Sequence, residues 1–178
     1  MTIDDKDIIR SVREKPEAGF RLLMHKYKQP VYWHIRRLVV AHDDAQDATQ
    51  EAFIRMYRSF DKLRDDSSLR GWIFRIATNE ALRLIGSRHQ EQVSLDDENT
   101  AKGMEADRYV DYSDLEAVKL QKAILSLPTK QQAAFNLRYY DELSYEEIAE
   151  AMGSTASAAK VNFHHAKEKI IKYMNSND

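Results

Sequence analysis

Apolar residues recur at intervals of three and four positions along almost the whole chain, and no stretch of useful length alternates between apolar and polar residues. The first spacing is typical of an α-helix with one buried face, whereas alternation would indicate a half-buried strand. Only five glycines and three prolines interrupt the chain. The pattern therefore predicts an all-α protein built from several amphipathic helices.

Start and stop signals divide the first 90 residues into four predicted helices. Pro16 and Pro30 stand where helices could begin, and an acid at 43–44 is placed to cap the third helix. Ser68 can cap the fourth, and Gly86 is placed to end it. The predicted helices cover residues 17–28, 31–40, 45–60 and 68–85.

A change of composition near residue 90 predicts two small helical domains. The stretch 91–112 is acidic and poor in apolar residues, which is typical of a solvated, flexible linker. Helix-start signals then return at Ser113, Thr129 and Ser144, each followed three residues later by Glu or Gln. The predicted organisation is a domain over 1–90, a linker over 91–112 and a second domain over 113–178.

The segment from Ser144 to Ile170 carries the most specific pattern. A short helix ends at Gly153, and a longer helix begins near Ala156, which is the order of a helix-turn-helix. The outer face of the longer helix carries donors and a small apolar group suited to base edges and phosphates. Its predicted DNA-contacting residues are Ser157, Lys160, Val161, His164, His165 and Lys167. A plain helical hairpin with a solvated basic face would show the same periodicity.

Composition and charge narrow the possible functions. The net charge of −2 excludes a uniformly basic nucleic-acid binder but leaves room for local basic faces. No cysteine is present, so disulfides and cysteine-based zinc sites are excluded. His164 and His165 are adjacent and point about 100° apart on a helix, which suits no metal. Neither a metal nor a cofactor is expected, and the motifs of common enzyme sites are missing. The polar N-terminus and the lack of a long apolar run predict a cytoplasmic protein without membrane insertion.

Three runs, in order along the chain, resemble the extracytoplasmic-function (ECF) sigma factors of bacterial RNA polymerase. Asp44 to Phe53 resembles the polymerase-binding helix of that family. Leu69 to Asn79 resembles its Trp-containing helix, and Tyr140 to Ala149, after Leu127-Pro128, resembles the start of its helix-turn-helix. The resemblance covers nearly the whole chain.

The resemblance implies a sigma factor that binds core RNA polymerase, reads and melts promoter DNA and catalyses no covalent step. It places polymerase binding on Asp47, Gln50, Glu51 and Ile54. Contacts to the minus-ten element fall on Arg70, Arg75, Thr78, Asn79, Arg83 and Arg88, and the loop 61–68 captures a flipped base. The helix after Gly153 reads the minus-thirty-five element in duplex form. It carries fewer arginines than many relatives, so a different element is expected.

Several alternatives stay open at this stage. A one-component helix-turn-helix regulator would share the C-terminal motif but would not explain the run from Asp44 to Phe53. A helical adaptor without a DNA role is also possible. Trp72 is expected in the core, whereas Phe74 and Tyr57 could instead stack on single-stranded bases. By family analogy alone, an anti-sigma factor would hold the protein inactive.

Overall fold

The computed structural model describes residues 2–91 and 113–176, and every regular element in these ranges is helical. The side chains of residues 88–91 are not described. Within these described ranges, four helices form the first half and four form the second, with a short 3₁₀ turn at Phe60–Lys62. Their bounds are α1 Asp5–Glu14, α2 Pro16–Val39, α3 His42–Ser59, α4 Leu69–Glu91, α5 Leu115–Leu125, α6 Thr129–Tyr139, α7 Tyr145–Met152 and α8 Ala156–Met174. The predicted all-α fold is confirmed.

Helices α1 to α4 pack around one apolar core. Their inward residues include Leu23, Ile35, Met56 and Ile73, all fully or almost fully buried. Helix α1 crosses α2 at Gly19, where a Cβ atom would lie only 2.2 Å from the backbone nitrogen of Val12. That distance leaves no room for any side chain, so the close crossing of α1 and α2 requires glycine here.

The two helices expected on either side of Pro30 are one continuous helix, α2. The prediction of a break is wrong because the apolar stripe passes through that point without interruption. Tyr27, Val31 and Ile35 follow at intervals of four and are all buried. Packing of this stripe outweighs the cost of a proline inside a helix, about 3 kcal/mol, and Pro30 itself lies on the exposed side.

Two helix ends also differ from the prediction. The third helix begins at His42 with Ala41 at the N-cap, and no side chain caps it. The acids at 43–44 lie in its first turn, where a negative charge still favours the helix dipole. Gly86 does not end α4, which continues to Glu91. A glycine inside a helix costs only about 1 kcal/mol relative to alanine, so it is a weak stop signal.

The start signals of the second half are partly confirmed. Asp114, and not Ser113, caps α5 by accepting from the backbone N–H of Ala117 at 3.1 Å. Thr129 is the first residue of α6 and makes no capping bond. The Ser144–Glu147 box is complete, with both reciprocal bonds present at the start of α7.

The helix-turn-helix is formed by α7 and α8, as predicted. Gly153 ends α7 in the left-handed region at φ 64°, which glycine adopts without strain. Thr155 then caps α8 by accepting from the backbone N–H of Ala158 at 3.1 Å. A small second core, including Ile124, Phe135 and Ile170, holds α8 against α5 and α6.

The two halves are packed against each other in this structure. Leu137, Leu143 and Ile148 of the second half belong to the same buried cluster as Leu69 and Ile73 of the first. The predicted linker beyond Glu91 lies outside the described residues. None of the helices in the two described ranges is long and apolar enough to cross a membrane.

Candidate polymerase and DNA interfaces

The outer face of α3 carries the residues predicted to bind polymerase. Asp47, Gln50 and Ile54 are exposed, and the Glu51 side chain is 40% exposed. The opposite side of the helix is buried in the core through its apolar residues, which are Ala48, Ala52, Phe53 and Met56. The structure therefore brings all four predicted residues to one accessible face, with two acids, an amide and an apolar side chain.

A buried carboxylate connects this face to α4. Glu80 is 3% exposed and pairs with Arg55 of α3 at 2.5 Å and with Arg83 of α4 at 2.9 Å. Arg55 also lies 3.5 Å from Glu51. Glu80 thus fixes the two arginines and, through Arg55, adjoins the α3 face. Nothing in the sequence pattern indicates this role, because an acid within a helical run is most often solvated surface.

Helix α4 presents a polar stripe along its exposed side. Arg75, Asn79 and Arg83 follow at intervals of four residues, and all three are exposed. Residues at this spacing share one face of a helix. The stripe combines two cations suited to phosphates with an amide that can pair with a base edge.

Two other predicted minus-ten residues, Thr78 and Arg70, lie off this stripe. Thr78 is 1% exposed, and its hydroxyl lies 2.8 Å from Nε2 of His34. Arg70 is half-buried at the start of α4 and donates to the backbone carbonyl of Asp141 in the second half. Arg88 belongs to α4, but its side chain lies outside the described residues. Among the predicted residues whose side chains the structure describes, Arg75, Asn79 and Arg83 are the exposed ones.

The aromatic side chains near α4 are mostly core. Phe74 is 1% exposed and meets the imidazole of His34 edge to face, with ring centroids 5.5 Å apart. It cannot serve as a stacking platform for bases in this arrangement. Trp72 is half-buried and packs edge to face on Phe60, as expected of a core aromatic. Tyr57 is 47% exposed and meets Phe20 edge to face, with ring centroids 5.2 Å apart.

The loop between the 3₁₀ turn and α4 is acidic and solvated. Asp61, Asp65 and Asp66 are exposed, and Asp65 accepts from Arg13 of α1 at 2.7 Å. Ser68 closes the loop by accepting from the backbone N–H of Gly71 at 3.1 Å, which confirms it as the cap of α4. The ion pair gives one of the three acids a role in tethering the loop to α1.

The second helix of the helix-turn-helix, α8, presents its predicted DNA face to solvent. All six predicted residues are exposed, and Val161 is 51% exposed. The opposite face is held by Ala159, Ala166 and Ile170, which are buried. Phe163 stacks on Phe135 of α6 with ring centroids 5.5 Å apart, which fixes the helix rotation. The six exposed residues of the predicted DNA face are Ser157, Lys160, Val161, His164, His165 and Lys167.

A buried polar cluster joins the two halves, and the sequence pattern does not predict it. Nδ1 of His34 lies 3.8 Å from Oδ2 of Asp141, and neither atom has a hydrogen-bond partner among the described residues. Burial lowers the pKa of His34 to about 3, so the imidazole is neutral. Burial raises the pKa of Asp141 to about 7, against the opposing charges of Arg37 and Arg70. A lone histidine in a helical run is ordinarily a core residue, so the sequence does not indicate the contact between His34 and Asp141.

The same junction contains an arginine stacked on an aromatic ring. The Arg37 guanidinium carbon stands 3.9 Å from the ring centroid of Tyr140, within the range of a cation–π interaction. Gln121 of α5 donates to the Tyr140 hydroxyl. Burial raises the pKa of that hydroxyl, which keeps Tyr140 neutral beside Arg37. Among residues 2–91 and 113–176, no three His, Cys, Asp or Glu side chains are grouped so as to hold a metal ion.

Comparison with known proteins identifies the class of this fold. The family described as sigma-70 region 2 matches residues 23–90, and the family described as sigma-70, region 4 matches residues 117–170. The first match covers α3 and most of α2 and α4, and the second covers the helix-turn-helix. The chain therefore carries a sigma-70 region 2 followed by a sigma-70 region 4.

Full-length relatives place the chain within that class. It is 30% identical to the RNA polymerase sigma-H factor of Pseudomonas aeruginosa, with 94% of this chain and 92% of the relative covered. It is 31% identical to the ECF RNA polymerase sigma-E factor of Escherichia coli, with 94% and 93% covered. The chain belongs to the ECF RNA polymerase sigma factors, which are transcription initiation factors.

Solved structures share the arrangement of helices. CnrH in complex with the cytosolic domain of CnrY has a TM-score of 0.72 at 17% identity, with 98% of this chain and 99% of that chain covered. The sigma factor RpoE in complex with the anti-sigma factor NepR from Bartonella quintana has a TM-score of 0.68 at 20% identity, with 89% and 98% covered. At these identities the likeness concerns the fold.

Proposed function

We propose that three outward faces have separate binding roles in promoter-specific initiation. The α3 face binds core RNA polymerase, the α4 stripe reads the minus-ten element, and the exposed face of α8 reads the minus-thirty-five element. The observation that carries this proposal is that each of the three helices turns several predicted polar residues outward while its apolar side is buried. On α4 these residues are Arg75, Asn79 and Arg83.

The α3 face suits a basic helical partner. Asp47 and Glu51 supply charge, Gln50 supplies an amide, and Ile54 adds an apolar contact that is 43% exposed. Helix-on-helix docking of this kind uses an apolar centre with polar pairs around it. The Glu80–Arg55 pair supports the face from below, since Arg55 is shared between Glu51 and the buried carboxylate.

The α4 stripe suits promoter DNA whose two strands are being separated. Arg75 and Arg83 bind phosphates and add salt-dependent affinity, and Asn79 contacts a base edge. Burial of Thr78 and the bond from Arg70 to the Asp141 carbonyl favour these three residues over those two members of the predicted set. Arg88 stays a predicted phosphate contact.

The α8 face suits the duplex major groove. Lys160 and Lys167 are cations at the outer side, and Val161 can contact a thymine methyl group. The small residues at its start, Ala156, Ser157 and Ala158, allow close approach to the phosphate backbone. We also propose an anti-sigma factor as a regulatory partner and the cytoplasm as the place of action, by analogy with relatives of this family.

Reconstituted transcription tests the proposal. The purified chain is added to bacterial core RNA polymerase with fragmented genomic DNA of the host, and the 5′ ends of the transcripts are sequenced. Initiation is expected at sites that share two spaced sequence elements. Core polymerase alone should show no initiation at those sites. Transcripts without a shared upstream element would contradict the proposal.

Single substitutions then assign each face. Lys160→Ala and His164→Ala are expected to change dependence on the upstream element, and Asn79→Ala dependence on the downstream one. Lys172→Ala is the matched control, because Lys172 is also an exposed lysine of α8 but lies outside the predicted contacts. If Lys160 contacts a phosphate, its removal flattens the salt dependence by about one phosphate contact. An unchanged salt slope would remove Lys160 from the contact set.

A further inference from the structure

Four charged side chains of alternating sign run from the outer face of α3 to the polar stripe of α4. Oε1 of Glu51 lies 3.5 Å from Nε of Arg55. The same nitrogen lies 2.5 Å from Oε1 of Glu80, and Oε2 of Glu80 lies 2.9 Å from the Arg83 guanidinium. These four side chains form one ionic network that joins the predicted polymerase face to the predicted minus-ten stripe.

The centre of the ionic network is buried and its ends are open. The Glu80 side chain is 4% exposed, whereas those of Arg55 and Arg83 are 53% and 61% exposed. A buried carboxylate is costly unless cations stay beside it. The two arginines therefore share one carboxylate, and a change in the pairing of one alters the share that is left for the other.

The two ends of the ionic network also interact electrostatically. The hydrogen bond and the charge of Glu80 raise the pKa of the Arg83 guanidinium, and the charge of Glu51 raises it further. Glu51 lies on α3 and Arg83 on α4. A charge brought to the polymerase face is therefore felt on the DNA stripe.

The direction of this effect follows from the signs of the charges. Two carboxylates and two guanidinium groups give the ionic network no net charge. A cation that pairs with Glu51 cancels one of the negative charges and leaves Arg55 to Glu80. The charge of Arg83 is then less compensated, so a phosphate binds it more strongly.

We propose that polymerase docking at Glu51 and phosphate binding at Arg83 are coupled through Glu80, so that each strengthens the other. This inference rests on the proposed function, which gives the two faces their partners. Coupling between two binding sites is reciprocal, so DNA strengthens docking by the same factor. Glu80 acts only through the two arginines and is therefore a positioning residue. Because the arginines are half exposed, we expect a factor of about two to five.

A double-mutant cycle measures this coupling. Binding of the full chain to immobilised bacterial core RNA polymerase is recorded with and without a promoter fragment from a start site that the wild type uses. The ratio of the two dissociation constants is the factor by which DNA strengthens docking. It is compared among the wild type, Glu51→Gln, Arg83→Ala and the double variant. Both substitutions are at side chains open to solvent, so all four proteins should fold.

The double variant should lose about two- to fivefold less of this factor than the product of the two single losses. The matched control is the cycle of Glu51→Gln with Arg75→Ala. Arg75 is an exposed arginine of the same stripe, about 12 Å from Arg83 along the helix axis, which exceeds the Debye length of about 10 Å. The losses of this second pair should simply multiply.

Two results would overturn the inference. Losses that multiply for Glu51 and Arg83 would show that the two ends act independently. An equal departure in the Arg75 cycle would show a general effect of charge without a role for Glu80. Failure of the wild type to bind core polymerase would instead overturn the proposed function, so the two failures are distinguishable.

The role of Glu80 is tested by repeating the first cycle in the Glu80→Gln background. Without the shared carboxylate, the losses from Glu51→Gln and Arg83→Ala should multiply. Arg55→Gln breaks the ionic network at a more exposed side chain and should give the same result if Glu80→Gln folds poorly. Coupling that persists in the folded variants would contradict transmission through Glu80.

Discussion

Nδ1 of His34 lies 3.8 Å from Oδ2 of Asp141, and this buried contact joins α2 in one half to the turn before α7 in the other. Burial lowers the pKa of His34 to about 3 and raises that of Asp141 to about 7. Between these values the folded pair holds one proton, which burial favours on Asp141. The pair is therefore neutral in the folded chain between these two pH values.

The first prediction concerns pH and the free energy of unfolding. The lowered pKa of His34 contributes stability above the unfolded value of 6.5 that is lost as pH falls towards about 3. The raised pKa of Asp141 contributes stability below the unfolded value of 3.8 that is lost as pH rises through about 7. The two slopes have opposite signs, so they cancel between about pH 4 and 6.5.

Asp141→Asn exposes the His34 slope. The variant should gain stability with rising pH by up to about 1.4 kcal/mol per unit between pH 4 and 6.5. At pH 8 it should be more stable than the wild type, because no charge is then buried at this position. Denaturant unfolding across this pH range measures both effects, and Asp66→Asn in the exposed loop is the control. A pH profile parallel to that of the wild type would contradict the assignment.

The second prediction concerns the carboxylate beneath the α3 face. Glu80→Gln removes the charge that holds Arg55 and Arg83, and it should cost about 1–2 kcal/mol of unfolding free energy. Because the two arginines are about half exposed, the loss stays well below that of a fully buried pair. Glu51→Gln is the matched control. The Glu51 side chain is 40% exposed, so removal of its charge should leave the unfolding free energy nearly unchanged. Equal losses of unfolding free energy in the two variants would contradict the role of Glu80 in holding the two arginines.

The third prediction compares two glycines of opposite conformation. Gly153 ends α7 at φ 64°, so Gly153→Ala should destabilise the chain by about 1 kcal/mol. Gly86 lies inside α4, and a Cβ atom there would meet nothing within 4 Å. Gly86→Ala should therefore stabilise by up to about 1 kcal/mol through helix propensity. Thermal unfolding of both variants measures the difference, and a change of the same sign in both would contradict the account.

The fourth prediction concerns a strained turn before α3. Val40 has φ 71° and ψ −49°, and the backbone N–H of Ala41 donates to the carbonyl of Val39 at 2.9 Å. These values describe a γ-turn of the rare, strained form, which is unfavourable for a β-branched residue. Val40→Gly should raise the unfolding free energy by about 1 kcal/mol. Ala41→Gly is the control at φ −73°, where glycine should bring no gain.

Local signals predicted much of the fold. The helix-turn-helix follows from residues that act on their own backbone, namely the Ser144 box and the left-handed Gly153. Proline and glycine at Pro30 and Gly86 misled the prediction, because packing of a continuous apolar stripe outweighs their local cost. The outward faces of α3 and α8 were predictable from helical periodicity alone.

Contacts between distant residues were not predictable in this way. Glu80 and Arg55 are partners across two helices, and His34 meets Asp141 across the two halves. A single sequence contains no signal for such pairs, since each residue alone fits a solvated or core position. The burial of Thr78 was not predictable for the same reason, because it depends on a hydrogen bond with His34, which is 44 residues away in the chain.

The most direct test of the central claim is the binding of the full chain to bacterial core RNA polymerase. The wild type is compared with Asp47→Arg/Gln50→Ala on the α3 face and with Glu17→Arg/Gln29→Ala, a charge-matched control at exposed positions of α2. Tight binding by the wild type and the control, with loss in the α3 variant, is the predicted result. Equal binding by all three proteins, or no binding by the folded wild type, would contradict it.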